Sequence, residues 1–197
     1  IDDAFLAACN EQTLKTLKDL DLKGSADVEY HYYRPPGLNQ NPKFQFIVDL
    51  QNCSMECAWF KYRLTNLTGT VTHSSVDESW AFHELRAHHG SATVTGSGSF
   101  IQFADIGRLE LNLSAINAQF EDQLKQALPV PLQKVWEDFK PLGKLNVDKI
   151  LIHWIPGRPV EITLPSIQIS DASFVMQAFP LTIQNVRAKL SYYQRIN

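Results

Sequence analysis

Apolar residues along this chain keep two alternating rhythms. From Phe5 through Leu14, Leu17 and Leu20 they recur every three or four positions, the spacing of a helix face, and the run stops at Gly24. From there the period drops to two. Ala26, Val28, Tyr30 and Tyr32 alternate with Asp27, Glu29 and His31, which predicts a half-buried strand ending at Pro35-Pro36-Gly37. The stretch PPGLNQNPK reads as a hairpin loop. Further strands are predicted at Phe44-Phe46-Val48-Leu50, Met55-Cys57, Phe60-Tyr62-Leu64, Ala92-Val94 and Leu109-Leu111-Leu113. The helical rhythm then returns at Phe120, Leu124, Ala127 and Leu128. Pro129 and Pro131 interrupt it, Leu132, Val135, Trp136 and Phe139 resume it, and Pro141 with Gly143 ends it, so the segment is a kinked helix or two short ones. Leu145, Val147 and the run ILIHWI lead to Pro156-Gly157.

The return is in register. Ile1 to Gly24 lays over Phe120 to Gly143 without a gap, an offset of 119 residues, with Asp3/Asp122, Ala8/Ala127, Asp19/Asp138 and Gly24/Gly143 identical. At the same offset Val48/Ile167, Leu50/Ile169, Met55/Phe174, Cys57/Met176 and Leu64/Ile183 stay apolar, while Asp49/Gln168, Gln51/Ser170 and Ser54/Ser173 stay polar. Two units follow: residues 1–119 as a complete helix-then-strands repeat, and 120–197 as a truncated second copy. The unit exceeds the ~20–50 residues of common solenoid repeats, so each copy is a small helix-plus-sheet module. Parity slips between Leu64 and Leu67, where Asn66 matches Asn185, and a bulge or tight turn is expected there because Asn tolerates the required backbone angles. The chain opens on Ile1, and unit two lacks the counterpart of Ser79 to Gln119, so the sequence reads as a piece of a longer polypeptide.

Composition narrows the chemistry. The net charge is −3 with acids and bases interspersed, and no Lys/Arg stripe suited to a phosphate backbone exists, which argues against nucleic acid as a partner. Cys9, Cys53 and Cys57 take the places of Leu128, Ala172 and Met176, so they read as small buried apolar residues; Cys53 and Cys57 would stand ~13 Å apart on a strand, too far for a disulfide. His83, His88 and His89 cluster near Glu84, but adjacent His88 and His89 point to opposite sides of a strand and no HxxxH spacing occurs, so no metal site is assigned. The Gly-rich HHGSATVTGSGSF lacks the Lys and the helix of a phosphate loop and reads as a bent strand. Asp2-Asp3 and Glu121-Asp122 fit helix starts better than acid–base catalysis. No catalytic motif and no cofactor site is found, and the chain is read as non-enzymatic. Asn66-Leu67-Thr68 and Asn112-Leu113-Ser114 match a glycosylation triplet, a pattern common by chance.

Shape then carries the reading. Alternating strands in tandem make a sheet with one apolar side, and about 20 helical residues per unit of about 120 are too few to cover it. Either two sheet surfaces close on each other, or part of the apolar side holds something else. Leu109 to Val147, LELNLSAINAQFEDQLKQALPVPLQKVWEDFKPLGKLNV, resembles the repeat of bacterial AsmA-like proteins, related to TamB and to chorein-type bridge-like lipid-transfer proteins: a strand, a short acidic helix, Leu-Pro-x-x-Leu, an aromatic helix and Pro-x-Gly. Glu84 to Phe100, ELRAHHGSATVTGSGSF, is similar to the Gly-rich strand of the same family. The resemblance implies a periplasmic module of a parent anchored in the inner membrane, touching membrane through parts absent from this sequence. It also implies a groove along which phospholipid or other acyl-chain lipids slide between neighbouring repeats. The expected fold class is therefore mainly β with short helices (α+β), as tandem repeats in a curved antiparallel sheet with an apolar groove. The groove candidates are Phe44, Phe46, Val48, Leu50, Met55, Cys57, Ile167, Ile169, Phe174 and Met176. The alternative is a structural scaffold whose sheets close into a filled core.

Overall fold

The computed structural model describes residues 18–37, 40–103, 106–175 and 181–196. Nine strands form one sheet in chain order: β1 (Lys23–Tyr33), β2 (Lys43–Cys57), β3 (Phe60–Ser74), β4 (Ser79–His89), β5 (Ala92–Phe103), β6 (Ile106–Gln119), β7 (Leu142–Trp154), β8 (Val160–Val175) and β9 (Thr182–Ile196). Every neighbouring pair is antiparallel, so the sheet is an uninterrupted meander. Between β6 and β7 lie two helices, α1 (Asp122–Ala127) and α2 (Val130–Phe139). The break between them follows from Pro129, whose ring holds Leu128 in extended backbone at φ −73, ψ 152. The helix predicted from Phe5 to Leu17 lies outside the described residues.

Antiparallel partners share a face, so the registers sort the sheet into two sides. Val28, Val48, Val71, Phe82, Gly98, Leu111, Ile152 and Ile162 form one row across eight strands and meet Gln194 on the ninth. A lower row passes through Val94, Ala115, Val147, Ile167 and Leu190. On the other side Asp27, Asp49, Thr70 and His83 pair in turn, and the Arg195 guanidinium meets Glu161 at 2.8 Å. The sheet is thus apolar on one side and polar on the other. Burial is deepest where Leu50, Cys53, Leu67 and Ala87 pack together, with Val48, Met55, Val71 and Leu85 against them.

No second sheet lies over the apolar side among the described residues; from outside the sheet α1 packs mainly against β3, and α2 against β8. The chain accordingly exposes 13009 Å², where a compact monomer of this mass would expose about 9,400 Å².

Residues with left-handed backbone punctuate the strands. Asn52, Asn66, Glu84, Asn117, Asp171 and Asn185 all have φ between 49 and 58 within a strand, and register shifts accompany them. These are bulges, which bend a strand and move its alternation on by one residue. The one expected at Asn66 and Asn185 is present. Those at Asn52 and Asp171 make a correction: Phe44–Leu50 and Met55–Cys57, read as separate strands, are one strand of 15 residues joined through Asn52. Four of the left-handed positions recur at the 119-residue offset, namely Asp21/Lys140, Gly24/Gly143, Asn52/Asp171 and Asn66/Asn185.

Gly24, at φ +138, lies so close to β2 that a Cβ would sit 2.6 Å from the Cys53 Cα; Gly143, at φ +112, would meet the Ala172 Cα at 2.9 Å. Both conformation and space demand glycine. Gly24→Ala and Gly143→Ala are expected to cost about 1–3 kcal/mol each in urea unfolding. Gly90→Ala, with φ +53 and nothing within 4 Å of the added carbon, should cost only about 1 kcal/mol. Equal losses at all three positions would refute the close approach.

Candidate functional site

The expected groove residues divide between β2 and β8, and the bulges decide where they point. Phe44, Phe46, Val48 and Leu50 occupy even positions, Met55 and Cys57 odd ones, and strict alternation would set these two groups on opposite sides. The extra residue at Asn52 restores them to one side, so that Leu50 and Cys53 are both buried and Met55 packs on the same cluster. On β8, Asp171 plays the same part between Ile169 and Phe174. Phe44, Phe46, Val48, Leu50, Met55, Cys57, Ile167, Ile169 and Phe174 therefore share the apolar side of a single sheet; Met176 lies outside the described residues. β2 and β8 are six places apart, so the two groups do not touch. The strands between them supply residues absent from the expected set, among them Val71, Phe82, Leu111, Leu113, Val147 and Ile152. The same alternation that marked their strands could have found them.

Along the strands the apolar side changes character. At the end where β1 meets β2 through the hairpin loop it is aromatic. The Tyr30 and Phe46 rings lie 4.8 Å apart, and His73 stacks on Trp80 at 4.4 Å while its Nδ1–H donates to the Ser79 carbonyl at 2.9 Å. The middle is aliphatic and smooth. Gly96 and Gly98 on β5 leave room for the Leu113 and Leu111 side chains, whose Cδ2 atoms lie 2.5 Å from where each Cβ would stand.

At the opposite end the helices take over. Tyr62, on β3, donates its hydroxyl to Glu121 Oε1 at 2.9 Å, and its ring stacks on His89 at 3.8 Å. His89 Nδ1–H donates to the Arg63 carbonyl at 2.6 Å, and its Nε2 lies 3.3 Å from the same Glu121 oxygen. Glu121 immediately precedes α1, so one carboxylate ties that helix to two strands. Phe120 meets Trp136 edge-on at 5.3 Å, and Phe139 meets Phe174 of β8 at 6.4 Å. The helical pair thus touches the sheet at β3, β4 and β8. Burial, reinforced by the hydrogen bond to Glu121 and its charge, pushes the Tyr62 hydroxyl well above its ordinary value.

The remaining polar candidates serve the fold. His88 bonds Thr93 Oγ1 at 3.2 Å on the polar side, while His89 faces the helices, so the adjacent histidines point apart. Cys53 is buried, its thiol directed at the Ser25 carbonyl at 3.2 Å. Cys57 is half-buried, and burial, with the charge of Glu56 adding, pushes its thiol up to about 11. Cys9 lies outside the described residues. No known family, curated protein or solved structure matches the chain.

A folded-state thiol pKa raised above the ordinary 9.0 gives stability that is whole below pH 9 and is lost as pH rises towards 11. Up to about 2–3 kcal/mol of alkaline destabilisation is expected between those limits, and Cys57→Ala should remove it. Alkylation by iodoacetamide at pH 8 should be slow at Cys53 and Cys57 in native protein and fast in urea. Tyr62→Phe, which deletes the bond to Glu121, should cost about 1 kcal/mol and raise hydrogen exchange in α1 more than in β5.

Proposed function

We propose that this chain is a non-enzymatic module of a lipid conduit, holding acyl chains on its apolar side as they pass between neighbouring repeats of an AsmA-like parent. The observation that carries this reading is the apolar row running through eight consecutive strands with no second sheet over it among the described residues. Seven inter-strand spacings make a path about 34 Å long. On this reading the bulges bend the strands that carry them so that the apolar side is concave, a groove whose axis runs across the strands. Acyl methylenes on it are relieved of hydration at ~0.8 kcal/mol each, while headgroups stay in water at the strand ends. Because the row is Val, Leu, Ile and Phe with one glycine, Gly98 on β5, a chain can slide along it without a polar barrier.

The repeat belongs to the same proposal, with residues 1–119 as one unit and 120–197 as part of the next. Four left-handed residues at one offset support it, for backbone angle is a property that apolar patterning alone does not impose. So does the match between Gly24 against Cys53 and Gly143 against Ala172. The parent would be a periplasmic protein anchored in the inner membrane; among the described residues no helix is long and apolar enough to cross a membrane.

A charge on the row separates the conduit from a scaffold with a filled core. Val48→Asp is expected to leave the sheet folded, because the half-buried side chain keeps access to water, and to abolish capture of a photoactivatable phospholipid. In a closed core the buried unpaired carboxylate would cost several kcal/mol and unfold a domain of ordinary stability. Unfolding of the variant, or no lipid captured by the wild-type chain, would sink the conduit.

A further inference from the structure

The chain passes from β6 to β7 by an insertion instead of a turn. At the same margin β2 passes to β3 through Ala58-Trp59 and β4 to β5 through Gly90-Ser91, whereas α1 and α2 fill the connection from Gln119 to Leu142. α1 reaches back to β3 and α2 forward to β8, so the pair lies across that margin as a strap over five inter-strand spacings, about 24 Å. It is lightly fastened. Ala127 is the one buried residue of the two helices, and Val130, Val135 and Phe139 are exposed. Segments with so few buried contacts are the ones that open locally.

Glu121 fastens α1, and the geometry around its partner makes that fastening depend on a proton. His89 has an acceptor at each ring nitrogen: the Arg63 carbonyl 2.6 Å from Nδ1, and Glu121 Oε1 3.3 Å from Nε2. A neutral imidazole carries one N–H and one lone pair, so in either tautomer a lone pair faces an acceptor. The imidazolium, a donor at both nitrogens, satisfies both. The Tyr62 ring, stacked at 3.8 Å, also favours a cation, and the Tyr62 hydroxyl donates to the same carboxylate. The other charged groups of the packed elements are turned elsewhere. Arg63 sends its guanidinium to Asp21 and Glu56, Lys125 pairs with Glu137, and His88 bonds Thr93 on the polar side. Lys61 and Asp122 are exposed, and β5 carries no charged residue.

We propose that α1 and α2 form a pH-sensitive strap over this margin of the apolar side, caught by Glu121 while His89 carries two protons and released when His89 gives one up. The neutral ring sets two acceptors against each other, and Tyr62 is left to hold the carboxylate. Release uncovers Tyr62, 7% exposed with α1 in place, and opens the apolar side at that end. The strap needs no lipid and is read in lipid-free protein, so it stands apart from the conduit.

Amide hydrogen exchange tests it, expressed as protection with the intrinsic pH dependence divided out. The probes are the Lys125 and Leu128 amides, which donate to the Glu121 and Leu124 carbonyls at 3.0 and 3.2 Å. As pH rises from about 5 to about 8, the range in which histidine changes charge, their protection should fall at least about tenfold, the effect of losing one charged hydrogen bond, while β5 stays unchanged. Over the same interval nitrogen NMR of His89 should show two N–H groups give way to one. Glu121→Gln, whose amide can donate to a neutral ring, should abolish the response. His31 beside Glu29 and His153 beside Glu161 lie on other strands, and Cys57, with its thiol at about 11, ionises at higher pH, so a response confined to α1 is not theirs. Protection of α1 that does not change with pH, a singly protonated His89 while α1 is protected, or a Glu121→Gln chain with the wild-type response would each overturn the proposal.

Discussion

Everything in this sheet depends on one backbone constraint: a long strand must stay apolar on the same side from end to end. Alternation alone would do this in a straight ribbon, but these strands are up to 16 residues long and are bulged. Each bulge shifts the alternation by one, so the sequence must shift with it. Between Leu50 and Cys53 two polar residues stand together, Gln51 and Asn52, and the second adopts φ 50. Between Ile169 and Ala172 the pair is Ser170 and Asp171, with φ 54 at Asp171. Asn and Asp adopt left-handed backbone with less strain than other residues bearing a side chain, which explains why a short polar residue occupies the second place. Without that compensation Met55 and Phe174 would face the polar side.

This is also where the sequence was hardest to read. Period-two runs located β1, β2, β3, β5, β6 and β7 but not β4, and Pro129 located the break between α1 and α2, because both are local effects of a few residues. The bulges at Asn66 and Asn185 were legible from a slip of parity between apolar residues that are large enough to notice. The one at Asn52 was not, since Cys53, the residue that reveals the shift, is small, and a strand break explained the pattern equally well. The candidate site was legible only where stretches 119 residues apart could be compared, which drew attention to β2 and β8 and away from the five strands between them. The tie from Glu121 to Tyr62 and His89 had no signal at all. It joins residues 59 positions apart, and nothing in either neighbourhood marks a buried tyrosine as the partner of the carboxylate that precedes α1.

The helices impose a direction on an otherwise uniform face. At one end of the strands the apolar side finishes in Tyr30, Phe46, His73 and Trp80, rings with apolar bodies and, in three of the four, a polar atom that favours the boundary with water. At the other it finishes under α1 and α2, tied down through Glu121 at β3 and β4 and through Phe139 at β8. The two margins are therefore unlike: one is wet and aromatic, the other carries a helical rim. Because α1 and α2 intervene between β6 and β7, the rim is formed without interrupting the meander, and Leu111 of β6 still meets Ile152 of β7 in the apolar row.

Burial on the face suits the proposed conduit, which would bind weakly and everywhere rather than tightly and once. The described residues that are fully buried are few and mostly small, Cys53, Ala87, Ala92 and Ala172 among them, and no polar residue is buried. A specific pocket needs converging polar groups to fix orientation, and the row from Val28 to Ile162 provides none. An apolar guest there would gain from area alone, in proportion to its length, and lose nothing by moving one strand along. The same feature makes such a sheet vulnerable in water, since an open apolar side invites collapse or association. The polar side, with its ladder of hydroxyls, carboxylates and cations, and the tie that holds α1 and α2 at one margin oppose that tendency by keeping the strands in register while their apolar side stays accessible.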